Sequence, residues 1–247
     1  QPALSRDQTE RMMNAMGTDV EIDGLDLIVQ PGRLKAVNIA VPGDISSAAF
    51  WMVAGLCHPN SKILLQSVGL NPSRTGIVEA LSAMGAGSGI NMLEERDEGG
   101  EPVADVLVTP AQLHGTEIYG DIIPRILDEI PILAVAACFA NGDTVIRDAA
   151  ELRVKESDRI ATTVEELSRL GANIEAKEDG MVIHGTGRLS GASCFSHGDH
   201  RLAMALAVAG LLSDGDTTVH GIEAASVSYP KFWEHLTTLE NDAILDR

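Results

Sequence analysis

Aromatic residues are nearly absent: Trp, Tyr and Phe make up 3% of 247 residues, although 45% of the chain is hydrophobic. Ala, Val, Ile and Leu must therefore fill the interior, a mixture suited to helices packed on β-branched strands and opposed to disorder. Basic residues are also scarce. Lys and Arg number 18 against 36 Asp and Glu, leaving a formal charge of −18. That balance argues against nucleic acid and anionic membranes as partners. An anionic ligand would need a local basic cluster, and most of the carboxylates read as a solvated surface. Cysteine is limited to Cys57, Cys138 and Cys194, widely spaced and odd in number, which gives no disulfide framework and no zinc spacing. Cys57 and Cys138 sit in apolar helical runs and read as buried free thiols of a reducing compartment, so a cytoplasmic location is expected. His197-Gly-Asp-His200 offers two metal ligands with no third nearby, and no metal is expected. No apolar stretch reaches transmembrane length, and no signal peptide is visible.

What the chain does have is internal repetition. AGLCHPNSKILLQSVG (54–69), AACFANGDTVIRDAAE (136–151) and AGLLSDGDTTVHGIEA (209–224) share one plan. Each is an apolar helix ending, a polar turn around Asn60, Gly142 or Gly215, and a β-rich strand. A second helix follows in RTGIVEALSAMGA, SDRIATTVEELSRLGA and SYPKFWEHLTTLE, and Gly85 and Gly171 suit left-handed C-terminal positions. Alternating segments such as ANIEAK and GMVIHGTG then read as strands. The pattern predicts an α/β fold of βαβαββ units, three of which span 43–247 and pack around a pseudo-threefold axis. Residues 1–42 read as the last helix and strands of a preceding domain, plus a hinge. The chain is therefore expected to be a fragment, beginning inside a unit at Gln1.

Charged or hydroxyl residues stand at the starts of four helices: Ser46-Ser47, Asp128, Lys155-Glu156-Ser-Asp-Arg159 and Asp199-His200-Arg201. Cations ordinarily favour helix C-termini, because the backbone dipole makes the N-terminus positive. Lys155, Arg159 and Arg201 break that rule, and an anionic ligand would repair the conflict. Lys155 and Arg159 are four apart, so a shared helical turn would put them on one face, with Glu156 beside them as an acid or base. The competing reading is a solvated helix start with internal ion pairs. Arg201, before so apolar a run, needs an anion, and Asp199 would serve as a structural one. Asp128 reads as an N-cap or as a base close to cations. Ser46 and Ser47 read as caps, while Arg6 and Arg74 share the placement of the other cations. Around a pseudo-threefold axis these corners would converge into one site for a poly-anionic substrate.

Together these residues resemble the EPSP synthase (3-phosphoshikimate 1-carboxyvinyltransferase) family. PALSRDQTERMM, VPGDISSAAFWMVA, NPSRTG, DEIPILAVAACFA, ELRVKESDRI, GDHRLAMALA and SYPKFW follow the family's order, as the C-terminal part of such an enzyme. The resemblance implies the inside-out α/β barrel of enolpyruvyl transferases, with two domains closing on substrates. It implies transfer of the enolpyruvyl group of phosphoenolpyruvate to the 5-hydroxyl of shikimate 3-phosphate, without metal or organic cofactor. By position, Asp128 resembles the base for that hydroxyl, and Glu156 the group exchanging a proton at the methylene. Lys155, Ser5 and Arg6 resemble contacts to shikimate 3-phosphate, and Arg159 and Arg201 contacts to phosphoenolpyruvate. Ser228 stands where many members have Lys, and Glu151 where many have Asn. The implied partner is the N-terminal half of the same enzyme, so negligible turnover is expected of this chain alone. The rival readings are a UDP-N-acetylglucosamine enolpyruvyl transferase and a non-catalytic anion-binding domain.

Overall fold

The computed structural model describes residues 6–245. At the N-terminal end, α1 (Gln8–Ala15) leads into a hairpin of β1 (Val20–Asp23) and β2 (Asp26–Val29). The hairpin and the segment after it leave Leu25, Leu27, Leu34 and Val41 exposed. Asp7 ties α1 to the rest: its carboxylate accepts from Arg11 Nε at 2.8 Å and from Asn71 Nδ2 at 2.7 Å.

The first repeat is α2 (Ile45–Cys57), β3 (Ile63–Gly69), α3 (Gly76–Ala83), β4 (Ile90–Glu98) and β5 (Glu101–Val108). The second is β6 (Glu117–Ile118), α4 (Ile130–Cys138), β7 (Gly142–Ile146), α5 (Arg159–Arg169), β8 (Asn173–Lys177) and β9 (Gly180–Gly185). The third comprises β10 (Ser193–Phe195), α6 (His200–Leu211), β11 (Thr218–His220) and α7 (Phe232–Leu245). The βαβαββ plan is thus complete only in the second unit. In the first unit the leading strand shrinks to one parallel bridge, Gly43 to Val68. The described residues of the third end with its second helix.

α2, α4 and α6 are apolar nearly all round, and a helix of that kind must be covered on every side. Each packs on the other two. All nine residues of α4 are buried, as are His200 through Ala209 of α6. The sheets lie outside this triangle, in the orders β3-β5-β4, β6-β7-β9-β8 and β10-β11. β6 and β10 run parallel to the strands that follow their helices, and β8 and β9 pair antiparallel. Helices inside and sheets outside is the inside-out α/β arrangement that the resemblance implies. Gly85 (φ 95°) and Gly171 (φ 82°) do end α3 and α5 in left-handed backbone.

The shortage of aromatics shows in the core, which is built from Ala, Val, Ile, Leu and Met around the three helices. Phe50, Trp51, Tyr229 and Phe232 form one local cluster where α7 closes against α2. The three thiols are free, and burial pushes those of Cys57 and Cys138 up to about 12. Among the described residues, no helix is long and apolar enough to cross a membrane. Leu133, fully buried in the middle of α4, tests the helical triangle. Leu133→Ala should cost about 2–5 kcal/mol of unfolding free energy, measured by urea denaturation.

Candidate active site

Each of the three central helices begins beside an acidic side chain, which caps α2 and α6 but not α4. Asp44 caps α2, accepting the Ser46 N–H at 3.3 Å and the Ser47 N–H at 3.2 Å. The expectation that Ser46 and Ser47 are the caps is therefore corrected. An ionised carboxylate just before the helix is a better acceptor for the free N–H groups. Asp199 caps α6, accepting from Arg201 N–H at 2.9 Å and Leu202 N–H at 3.3 Å. α4 begins at Glu129 without a side-chain cap bond, so Asp128 is not a cap either. Glu129 is 3% exposed and lies in the field of Arg201, Asp128 and Arg74, with Ser46 beside it. The three helix starts therefore meet at one end of the triangle.

At their meeting point sits Arg159, 1% exposed at the start of α5. Its Nε donates to Asp199 Oδ2 at 2.8 Å, its Nη1 to Asp128 Oδ1 at 3.3 Å, and its Nη2 to Glu156 Oε2 at 2.5 Å. Asp128 receives Arg6 Nη2 at 3.0 Å and lies 3.8 Å from Arg201 Nη2. Arg201 is itself buried, and its Nε and Nη1 donate to no partner among the described residues. Ser157 Oγ adds a bond to Asp199 Oδ2 at 3.1 Å.

The structure brings together Arg6, Asp128, Glu156, Arg159 and Arg201, five of the residues singled out in the sequence. Lys155 is not in this cluster's ion pairs. It pairs with Glu151, in extended backbone between a 3-10 turn at Ala150–Val154 and α5. The shared helical turn expected for Lys155 and Arg159 does not form, because Asp158 caps α5 and places its first residue at Arg159. Ser5 lies outside the described residues. Asp199, read as an anion for Arg201, pairs instead with Arg159. Sequence reasoning passed over Glu129, whose signal was an acidic residue directly before a wholly apolar helix. Ser228 keeps its Oγ buried and without a hydrogen-bond partner among the described residues. His197 and His200 do not converge as ligands: His197 bonds Glu166 at 2.8 Å, and His200 lies at the start of α6. Among the described residues one group has metal-like spacing, Glu165, Glu166 and His197, and Arg169 already pairs with both of its carboxylates.

The electrostatics divide two adjacent carboxyls. Burial alone would raise Asp128, but Arg201, Arg159 and Arg6 outweigh it and hold it below the ordinary carboxylate range. Asp199 is likewise lowered: burial opposes, and Arg159 with two backbone N–H groups prevails. Burial dominates at Glu129 and raises it. Burial and the Arg201 charge lower His200, which favours its neutral form. The result is an ionised base, a carboxyl whose burial favours its protonated form, and free cationic donors in one place. Such a set can hold an anion and accept a proton beside it.

A family model described as EPSP synthase (3-phosphoshikimate 1-carboxyvinyltransferase) matches residues 1–236. A 3-phosphoshikimate 1-carboxyvinyltransferase of Gloeobacter violaceus is 56% identical over 237 residues, covering 96% of this chain and 54% of that protein. One from Herpetosiphon aurantiacus is 52% identical, over 96% of this chain and 56% of its own length. An EPSP synthase structure from Acinetobacter baumannii superposes with a TM-score of 0.90 at 42% identity, over 98% of this chain and 55% of that one. The enolpyruvyl transferase NikO from Streptomyces tendae, at 20% identity, has a TM-score of 0.70 over 92% of this chain and 51% of its own, and so shares the fold. The chain spans about half the length of the curated relatives it matches.

Two outcomes follow from this network. Asp199→Ala, which strips a buried cation of its fully buried carboxylate partner, should cost about 3–5 kcal/mol in urea unfolding at neutral pH. Asp199→Asn, which keeps a capping oxygen, should cost less. For Glu129 the sign is opposite to that of Asp128. A raised carboxyl is borne without cost below its ordinary value of 4.5 and weakens the fold as pH rises above it. Glu129→Gln should therefore gain stability relative to the parent between about pH 4 and about pH 7, read as the change in Tm difference.

Proposed function

The chain belongs to the EPSP synthase (3-phosphoshikimate 1-carboxyvinyltransferase) family, and from that premise we propose that it forms one wall of an enolpyruvyl-transfer site. The reaction moves the enolpyruvyl group of phosphoenolpyruvate to the 5-hydroxyl of shikimate 3-phosphate and releases inorganic phosphate. A proton adds to the methylene carbon, and the 5-hydroxyl oxygen bonds to the adjacent carbon, giving a tetrahedral intermediate. Loss of a methyl proton and of phosphate then restores the double bond. No metal or organic cofactor takes part.

Asp128 receives the 5-hydroxyl proton, and Glu156 gives and retrieves the proton at the methylene. Arg159 and Arg201 hold phosphoenolpyruvate. Ser5, Arg6 and Lys155 face shikimate 3-phosphate, Lys155 exchanging Glu151 for phosphate. Residues 43–247 constitute the C-terminal domain, and residues 1–42, whose Leu25, Leu27, Leu34 and Val41 are exposed, belong to the N-terminal domain that supplies the opposite wall. The enzyme is cytoplasmic.

The observation that carries this reading is Arg201. A buried guanidinium with two unpartnered donors is costly unless an anion completes it. The lowered pKa of Asp128 agrees with it. In the free site the arginines hold Asp128 ionised and weakly basic. An arriving anion shares those cations, which strengthens Asp128 as a base when the hydroxyl is in place. In the full-length polypeptide, Arg201→Gln should lower kcat/KM for phosphoenolpyruvate by about 100-fold, measured by phosphate release. Unchanged kinetics in the folded variant would overturn the reading. With UDP-N-acetylglucosamine as acceptor, no turnover is expected.

A further inference from the structure

The Arg159–Asp199 pair depends on a second clamp deeper in the molecule. α5 carries Arg159 at its first residue and Glu166 two turns later, roughly 10 Å along the same helix. Glu166 is fully buried and accepts three contacts: the Phe195 N–H at 2.9 Å, His197 Nε2 at 2.8 Å and Arg169 Nε at 3.3 Å. The first two belong to the last residue of β10 and to the short segment that joins it to α6 and ends at Asp199. α5 thus grips the segment twice, by Glu166 at its beginning and by Arg159 at its end.

Backbone preference alone does not fix the shape of this segment. His197 is left-handed at φ 53° and Gly198 follows at φ 75°. Histidine enters that region more readily than most non-glycine residues but still uncommonly, so its surroundings must favour it. Here the compulsion comes from Glu166 on one side and Ser196 on the other. Ser196 donates its Oγ proton to Gly221 O at 2.9 Å and accepts the Gly198 N–H at 3.2 Å. The turn closes with the Asp199 N–H on Ser196 O at 2.9 Å. Asp199 then grips Arg159 and the N–H groups of Arg201 and Leu202. A shift of Asp199 would therefore move both arginines.

We infer that Glu166 and His197 are positioning residues, seating the 195–199 segment on α5 so that Asp199 aims Arg159 and Arg201 at the anionic substrate. Neither touches that substrate; both act through Asp199. Arg169 already supplies a cation to Glu165 and Glu166, so this cluster serves position rather than metal binding. The inference rests on reading Arg159 and Arg201 as the phosphoenolpyruvate pair.

The test uses Glu166→Gln, His197→Ala and His197→Asn in the full-length polypeptide, with circular dichroism to establish folding. Glu166→Gln and His197→Ala should each raise KM for phosphoenolpyruvate about tenfold, with KM for shikimate 3-phosphate within about twofold of the parent. His197→Asn should lie closer to the parent than His197→Ala, because Asn tolerates left-handed backbone. Folded variants with an unchanged KM for phosphoenolpyruvate, or with both KM values raised equally, would overturn the inference. Should Glu166→Gln not fold, the His197 pair decides. Arg201→Gln separates the two readings. If it leaves KM for phosphoenolpyruvate unchanged, the assignment of the site falls. If it raises that KM while the Glu166 and His197 variants do not, the positioning role alone falls.

Discussion

Everything at the site's end of the molecule depends on the burial of one guanidinium. Removing Arg159 from water costs several kcal/mol before any partner is counted, so its surroundings must return nearly all of that through charge and geometry. They do so with carboxylates from three places: Asp199 before α6, Asp128 before α4, and Glu156 before α5 itself. Two repeat corners, those of the second and third units, are thereby fixed to the start of α5. The apolar helices could pack with some latitude on hydrophobic contact alone. A planar cation with directed donors removes that latitude at the end where orientation matters.

The same cluster explains how two neighbouring carboxyls acquire opposite characters. Asp128 points toward the arginines and is held ionised, while Glu129 turns into the helical triangle, where burial raises it. The repeated helix starts make such a division possible, because each contributes an acidic residue. In α2 and α6 that residue satisfies free backbone N–H groups. In α4 it does not, and its Oε1 remains without a partner among the described residues. The second unit therefore departs from the capping pattern of the other two at the corner where Arg201 also has unsatisfied donors. Local rules are broken together, in one place, which marks function rather than scattered imperfection.

The architecture was legible in the sequence to the extent that it rests on periodicity. The apolar runs became the central helices, the turns around Gly142 and Gly215 became left-handed turns, and ANIEAK and GMVIHGTG became paired strands. The site was legible as a set of residues but less so as contacts. Spacing placed Lys155 and Arg159 on one helical face, and the Asp158 cap defeated this by starting the helix after Lys155. Ser46-Ser47 resembled caps, but the stronger acceptor two residues earlier took that role. Which of Asp128 and Glu129 would meet the cations depends on the rotational phase of α4. An unbroken apolar run carries no information about that phase, since it has no polar face to orient it. Asp199 was visible as a charge beside Arg201, but its pairing with Arg159 arises only when α5 folds across α6.

The overall charge sharpens the case for an anionic ligand at this corner. A protein with a formal charge of −18 repels anions at long range, so attraction must come from groups close enough to outweigh the distant field. Arg159 and Arg201 meet that condition because they are buried, where water and salt screen them least. Arg159 is already answered by carboxylates. Arg201 is not: its contact to Asp128 is long at 3.8 Å, and Asp128 is shared with two other arginines. Of the cations gathered here, it retains the most capacity to respond to a ligand. An acidic surface further restricts what can occupy the site, since only an anion able to engage several buried donors at once would overcome the general repulsion. The contrast between the surface and this corner thus favours a compact, multiply charged anion over a diffuse one.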